Sequence, residues 1–163
     1  MSAQGQRLVA HDVDPSAYVA VLGLESYVRS SSLEPALLEL IRIRASQING
    51  CAFCLDMHHR DARKHGEAQR RLDVLPGWRE VVGLFTDREQ AALALTEAVT
   101  RIADSGVADD VWQAAASRFT EPELVQLLMA ISTINVWNRL AVSTRQQPPD
   151  LDPELGAQPG RLH

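Results

Sequence analysis

The two cysteines of the chain, Cys51 and Cys54, lie three residues apart and are its most reactive side chains. A Cys-x-x-Cys pair can pass between a dithiol and a disulfide, and a thiolate at a helix start is stabilised by free N–H groups and the helix dipole. His58 follows Cys54 by four residues, one helical turn later, where it can act as a base. Nucleophile, second thiol and base together predict a redox active site.

A carboxylate completes the candidate group. Glu39 lies on the preceding apolar segment, and the two segments can form a helical hairpin about Gly50. A rise of 1.5 Å per residue places Cys54 ~6 Å, His58 ~12 Å and Glu39 ~17 Å from the corner. This order predicts a proton relay from the thiol through the histidine to the glutamate. Burial on an apolar helix should raise the pKa of Glu39, which suits a group that accepts and returns protons.

Other interpretations of the same residues stay open on spacing alone. Glu39 could form a structural ion pair with Arg42 or Arg44, and His58 could be an ordinary helix histidine. Both cysteines and His58 could also bind zinc. Structural zinc sites usually take four ligands in two separated pairs, and the chain has no second cysteine pair, so the zinc site is disfavoured.

The identity of the attacking cysteine is also open at this point. Analogy with thioredoxin-type motifs favours the first cysteine, at the exposed helix terminus. Spacing favours Cys54, because His58 is four residues from Cys54 and seven from Cys51. The remaining histidines, His11, His59 and His65, receive no role, and His59 is expected to be solvated.

The composition limits the classes of function. The chain has 163 residues, 45% hydrophobic and 23% charged, so we expect one soluble domain over residues 1–145. The formal net charge of -5 disfavours general binding to nucleic acid or anionic membranes. Residues 1–10 lack a signal-like apolar run, and no apolar stretch approaches the ~20 residues that cross a bilayer. We therefore expect a cytoplasmic protein, where a lone Cys-x-x-Cys favours catalysis or metal binding over structural bracing.

Helical periodicity runs through most of the chain and predicts an all-α fold of about six to seven helices. We expect helices to start at Asp14-Pro15, near Glu34-Pro35, around Cys51 or Ala52, and near Asp109. Two further helices should start at capping boxes, Thr86–Glu89 and Thr120–Glu123. The helix from Thr86 should reach Ala103–Gly106. The helix from Glu34 is apolar nearly all round, so it should be central and buried, ending at Asn49-Gly50. Leu72–Phe85 should be irregular, and the proline-rich residues 146–163 should form a flexible tail.

These residues resemble a known motif. Glu39, eleven intervening residues, Cys51-x-x-Cys54 and then His58 resemble the core motif of the alkylhydroperoxidase D and carboxymuconolactone decarboxylase superfamily. The segment 37–51, and the segment 131–140 with its sequence Ile-Asn-Val-Trp-Asn-Arg, are similar to the alkylhydroperoxidase-like branch. The resemblance extends from about residue 15 to residue 145.

The resemblance implies an all-helical, cofactor-free and metal-free peroxidase that forms homotrimers or homohexamers. In that mechanism Glu39, through His58 and a water, deprotonates Cys54, which attacks the peroxide and becomes a sulfenic acid. Cys51 then forms a disulfide with it, before further oxidation. A dithiol such as dihydrolipoamide, or a redox protein, would restore the pair.

One position departs from some peroxidase members of the superfamily, which have a histidine just before the second cysteine where this chain has Phe53. The difference bears on turnover and substrate preference. Asn135 and Trp137 are expected either to line the same pocket or only to pack the last helix. The competing functions are a thiol–disulfide oxidoreductase acting on proteins, a carboxymuconolactone decarboxylase-like lyase, which needs no redox pair, and a non-catalytic metal-binding or scaffold protein.

Overall fold

The computed structural model describes residues 5–149, and within them all regular secondary structure is helical. The α-helices are α1 Ala10–Val13, α2 Pro15–Arg29, α3 Pro35–Asn49, α4 Ala52–Lys64, α5 Gln69–Val74, α6 Asp87–Thr100, α7 Ile102–Ser105, α8 Asp109–Ala116 and α9 Glu121–Thr144, with a 3-10 helix at Leu75–Glu80. The all-α prediction is confirmed. Residues 5–149 contain nine α-helices, more than the expected six to seven, because three of them, α1, α5 and α7, are short additional helices.

The central helix is α3, as its apolar pattern predicts. It packs against α4, α6 and α9, and Leu40, Ile41 and Ile43 are fully buried. Ile41 joins α6 and α9 in one core cluster, whereas Leu40 and Ile43 join α4, α5 and the 3-10 helix in another. A helix that is apolar on all faces has to be covered on all faces, and here three neighbours cover it.

Helix ends follow the local sequence signals. The Asp14 carboxylate caps α2 by accepting the Ala17 N–H at 3.1 Å. Thr86 and Thr120 each form the predicted capping box at the start of α6 and α9. The helix after Thr86 ends earlier than expected, because the chain leaves helical geometry at Arg101 (φ -103°, ψ 33°) before α7 begins.

The segment 72–85 is more ordered than its Pro-Gly sequence predicts. It contains the end of α5 and the whole 3-10 helix, which spans Pro76-Gly77. Leu72, Leu75 and Trp78 are buried in the second core cluster. Burial of these three large side chains holds the backbone in helical turns that local propensity alone disfavours.

The corner between α3 and α4 positions the predicted site. Gly50 has φ 67° and ψ 34°, the left-handed conformation that glycine adopts without steric cost, and it ends α3. The Cys51 N–H then donates to the Ser46 carbonyl at 3.0 Å. Helix α4 begins one residue later and runs back along α3, as expected from the hairpin.

The chain ends fall partly outside the described residues. Residues 146–149 are not helical, and the rest of the predicted tail, residues 150–163, lies outside the described residues. The domain boundary at residue 145 stays a prediction, and so does the oligomeric state. Among residues 5–149, no helix combines the length and hydropathy needed to span a bilayer.

Candidate active site

Both cysteines lie at the start of α4 and are joined by a disulfide. Their Cα atoms are 5.4 Å apart, and each residue is 1% exposed. Cys51 is the N-cap residue, and its Sγ accepts the N–H of Cys54 at 3.3 Å. Both sulfurs therefore lie where the unpaired N–H groups and dipole of α4 stabilise negative charge.

His58 and Glu39 meet across the α3–α4 hairpin. Glu39 Oε2 and His58 Nδ1 are 2.9 Å apart, and both residues are at least 95% buried, with 3% and 5% exposure. An ionised carboxylate can only accept, so the Nδ1 atom carries the hydrogen and Nε2 is the basic nitrogen of a neutral ring. His58 is one turn after Cys54 on the same helix, so the ring lies on the cysteine's side of α4.

Arg42 binds the second oxygen of Glu39. Its Nη1 donates to Glu39 Oε1 at 2.6 Å, and its Nη2 donates to Glu25 Oε1 on α2 at 2.5 Å. The arginine is 7% exposed. Glu39 therefore makes both contacts that the sequence left open, since one oxygen faces the histidine and the other an arginine. Arg44, the other candidate partner, binds Glu97 instead.

The expected direction of the Glu39 pKa is wrong. Burial does raise the pKa of this carboxyl, and it is the largest single influence. The hydrogen bond and charge of His58, together with those of Arg42, outweigh burial and hold the pKa below its ordinary value of 4.5. Glu39 is therefore a carboxylate at neutral pH, which can accept the Nδ1–H of His58 but holds no proton of its own.

A cavity of about 640 Å³ opens onto this group. Cys54, His58, Glu39 and Arg42 line one part of it. The apolar part of the remaining wall comes from α2, α3, α4 and α9, with the side chains Tyr18, Leu22, Leu38, Phe53, Met57 and Trp137. Glu25, Arg29, Asp61 and His65 also line the cavity. The volume falls within the range of small-molecule sites, and a few polar groups converge on one apolar chamber, as such sites require.

A second, smaller cavity of about 280 Å³ lies at the start of α4 and the end of α9. Cys51 lines this cavity, together with Gly50, Ala52, Ala141, Val142, Arg145, Gln146 and Gln147. Cys54 does not line it, and Cys51 does not line the large cavity. The two disulfide-bonded cysteines therefore line different openings.

Four other side chains that the sequence raised lie in different surroundings. Trp137 lines the large cavity, but Asn135 does not, because its amide is held by Thr100 and by Asn49 inside the bundle. His65, which received no role, lines the cavity. His59 is not fully solvated, since its Nε2 atom is buried without a hydrogen-bond partner.

Helix α2 contributes to the cavity without any signal in its sequence. Glu25, Tyr18 and Leu22 line the cavity although they lie far from the motif in the sequence. Their side-chain types carry no signal of a site, and only the packing of α2 against the rest of the bundle brings them there. Within residues 5–149, no three His, Cys, Asp or Glu side chains are placed to hold a metal ion, so the zinc alternative has no ligand set there.

Comparisons with known proteins identify the family of the chain. The family model of the carboxymuconolactone decarboxylase family matches residues 15–98. The uncharacterized protein YdfG of Bacillus subtilis is 38% identical over 138 residues, 85% of this chain and 93% of the relative.

Solved structures extend the likeness to the fold. A protein of unknown function from Agrobacterium tumefaciens, called a putative antioxidant defence protein AhpD, superposes with a TM-score of 0.86 at 41% identity, covering 89% of this chain and 99% of that one. An uncharacterized peroxidase-related protein from a Silicibacter species has a TM-score of 0.76 at 19% identity, over 86% and 74% of the two chains, and supports the fold alone. The chain thus belongs to the carboxymuconolactone decarboxylase family and has its alkylhydroperoxidase D-like fold.

Proposed function

We propose that the protein is a thiol-dependent peroxidase that reduces organic hydroperoxides through a Cys51–Cys54 dithiol/disulfide cycle. One observation carries the proposal: Cys54, His58 and Glu39 line one side of an apolar cavity, and Cys51 is bonded directly behind Cys54. The attacking sulfur, its base and the thiol that traps its oxidised form are thus already adjacent. Family membership and the AhpD-like relatives support the same chemistry.

The oxidative half of the cycle begins with the reduced pair. His58 Nε2 takes the proton of the Cys54 thiol, while Glu39 holds Nδ1–H and stabilises the positive ring. The thiolate attacks one oxygen of the hydroperoxide, and the O–O bond breaks. The alkoxide leaves with the proton from His58 as an alcohol, and Cys54 becomes a sulfenic acid.

The disulfide forms in the next step. The Cys51 thiol loses its proton and attacks the sulfenic sulfur, whose hydroxyl group leaves with a proton as water. One hydroperoxide and two thiols therefore give one alcohol, one water and one disulfide. The Cys54 N–H that points at Cys51 Sγ favours the thiolate needed for this attack.

The lining of the cavity favours a substrate with an apolar body. Phe53, Met57 and Trp137 surround the approach to Cys54, and burying apolar surface contributes about 25 cal/mol per Å². An alkyl or aryl hydroperoxide gains this contribution, whereas hydrogen peroxide does not. Phe53 contributes to the apolar wall, at the position where some peroxidase members have histidine.

The remaining expectations belong to the same proposal. A dithiol, for which dihydrolipoamide is one candidate, or a redox protein returns the disulfide to the dithiol form. The protein works in the cytoplasm as a homotrimer or homohexamer. Size determination of the full chain by light scattering would test the assembly, and a monomer would contradict it.

The decisive test is thiol titration and intact mass of the reduced protein, before and after one equivalent of cumene hydroperoxide. We expect both thiols to disappear and the mass to fall by two hydrogens. The Cys54→Ser variant should not react, whereas Cys51→Ser should form a Cys54 sulfenic acid that dimedone traps. Unchanged thiols would contradict the proposal. Rapid reduction of insulin disulfides by that unreactive protein would instead identify a thiol–disulfide oxidoreductase.

A further inference from the structure

The two cysteines of the disulfide line different cavities. The large cavity touches Cys54 and holds His58 and Glu39, whereas the small cavity touches Cys51 alone of the two cysteines. Ala141 and Gln146 line both cavities and lie between them. Each cysteine is 1% exposed, so a molecule that attacks either sulfur needs a cavity that leads to it.

We propose that the small cavity admits the thiol that reduces the enzyme, and that this thiol attacks Sγ of Cys51. This inference rests on the proposed peroxidase cycle and assigns the entry of its second substrate. Peroxide and reductant would then reach the same disulfide from separate openings, so an organic product still in the large cavity would not block reduction. Nothing else in the cycle requires a cavity at Cys51.

The chemistry of exchange favours attack at Cys51. The thiolate of the reductant forms a bond to Cys51 Sγ, the Cys51–Cys54 bond breaks, and the electron pair stays on Cys54 as thiolate. Exchange is faster when the leaving sulfur is stabilised as a thiolate. The helix start favours both sulfurs, and Cys51 Sγ also accepts the Cys54 N–H, but only Cys54 leaves one helical turn from His58, whose ring can stabilise or protonate it. Attack at Cys54 would instead make Cys51 the leaving group, away from the histidine.

A second exchange completes the reduction. The other thiol of a dithiol, after losing its proton to solvent, attacks the reductant's sulfur in the mixed disulfide. The bond to Cys51 breaks, Cys51 leaves as a thiolate and takes a proton, and the reductant departs as a disulfide. The Cys54 N–H that reaches Cys51 Sγ supports this departure. One dithiol is oxidised and one protein disulfide is reduced.

Charge at the small cavity favours an anionic reductant. Among residues 5–149, Arg145 is its one charged lining residue, and the others are Cys51 and small, apolar or neutral amide side chains. Arg145 has φ 56° and ψ 44°, a conformation that is costly for a side chain other than glycine, and it terminates α9 beside the opening. A guanidinium at the mouth attracts a thiolate or a thiol that carries an acid group.

The first test identifies the attacked sulfur. The disulfide form is prepared with diamide, without peroxide, mixed briefly with 2-mercaptoethanesulfonate, and quenched with N-ethylmaleimide. Fragment mass spectrometry should find the small thiol on Cys51 and the maleimide on Cys54. The reverse labelling would overturn the proposal. Because no peroxide is used, the result is informative even if the protein fails to reduce hydroperoxides.

The second test blocks the opening. Val142 is 45% exposed and lines only the small cavity, so Val142→Trp should slow reduction of the diamide-made disulfide about tenfold or more. The same change at Val125, which is 55% exposed on α9 and lines neither cavity, is the matched control and should reduce at the wild-type rate. If Leu22→Trp in the large cavity slowed reduction of the disulfide and Val142→Trp did not, the reductant would enter through the large cavity and the proposal would be wrong.

The third test measures charge selection. Wild-type protein should react faster with 2-mercaptoethanesulfonate than with the neutral 2-mercaptoethanol at equal thiolate concentration. Arg145→Gln should lower that ratio about two- to fivefold, as expected for one partly exposed charge. An unchanged ratio would remove Arg145 from the proposal, and equal slowing with both thiols would show that the arginine acts on the fold instead.

Discussion

Glu39 and Glu97 are two buried carboxylates on packed helices, α3 and α6, and each is bound by arginine. Glu39 is 3% exposed and Glu97 is 8% exposed. Burial raises the pKa of both, and their hydrogen-bonded partners more than reverse it, so both are ionised at neutral pH. Burial, charge and arginine pairing therefore do not distinguish the two sites.

The hydrogen-bond partners of Glu39 and Glu97 distinguish the two sites. Glu97 accepts from Arg44 Nε at 2.7 Å, from Trp78 Nε1 at 2.9 Å and from Arg79, and none of these groups releases a proton near neutral pH. Glu97 lines neither cavity. Glu39 has one arginine and one histidine, and it lines the large cavity beside Cys54.

The comparison teaches which features of a buried ion pair indicate chemistry. A carboxylate surrounded by permanent donors holds helices together. A carboxylate that shares its charge with a titratable ring, in contact with a cavity, can support proton transfer. Four variants separate these two roles.

The largest effect is expected at Glu39. Glu39→Gln keeps a hydrogen-bond acceptor for His58 but removes the charge that stabilises the protonated ring. We expect the rate of Cys54 oxidation by cumene hydroperoxide at pH 7 to fall roughly 10²- to 10⁴-fold, because His58 without its carboxylate loses most of its effect as the general base. Stopped-flow tryptophan fluorescence or thiol loss measures this rate. Glu97→Gln is the matched control, and equal losses in the two variants would erase the distinction.

Glu97→Gln should instead lower stability. The change leaves Arg44 largely buried without its carboxylate, and loss of one partner of a buried pair costs about 3 kcal/mol. Glu39→Gln should cost less, because Arg42 retains its ion pair with Glu25. Urea unfolding at pH 7 measures both free energies. A larger loss in Glu39→Gln would contradict the structural role assigned to Glu97.

Arg42→Lys tests the position of the carboxylate. The guanidinium binds Glu39 and Glu25 at once, and an ammonium on a lysine stem cannot reproduce this planar geometry. We expect peroxide oxidation to slow roughly tenfold, equivalent to about 1.5 kcal/mol for one charged hydrogen bond. Because the base itself remains, kcat should fall with little change in KM. A normal rate would mean that His58 alone holds Glu39.

The smallest effect is expected on the melting temperature at acidic pH. Both carboxyls have pKa values below their ordinary 4.5 when folded, so the folded state binds fewer protons than the unfolded state. Their stabilisation is complete above 4.5 and is lost as the pH falls through the lowered folded values. The melting temperature of each Gln variant should therefore fall less than that of wild type below about pH 5. A parallel decline in all three proteins would contradict these directions.

The part of the site that lies on the α3–α4 hairpin could be predicted from sequence. Glu39, Gly50, Cys54 and His58 belong to one continuous segment, so helical rise and a glycine corner fix their relative heights. The signals are local, and local geometry is the most regular property of a helix. The capping boxes at Thr86 and Thr120 succeed for the same reason.

The remainder depends on how distant helices pack. Spacing could not show that His58 and Arg42 would both bind Glu39, and these contacts outweigh burial in setting the direction of its pKa. Asn135 shares its segment with Trp137, but its amide faces Thr100 on α6 rather than the cavity. The division of the two sulfurs between two cavities also requires α9 to end beside the start of α4.

The most direct test of the relay is the pH–rate profile of Cys54 oxidation in wild type, Glu39→Gln and Glu97→Gln. If Glu39 acts by stabilising the protonated His58, the relay is not needed at alkaline pH, because hydroxide in solution can deprotonate the Cys54 thiol directly. The Glu39→Gln profile should then have its acid limb shifted to higher pH and approach the wild-type plateau, while Glu97→Gln superposes on wild type. A Glu39→Gln profile that superposes on wild type at every pH would contradict the relay.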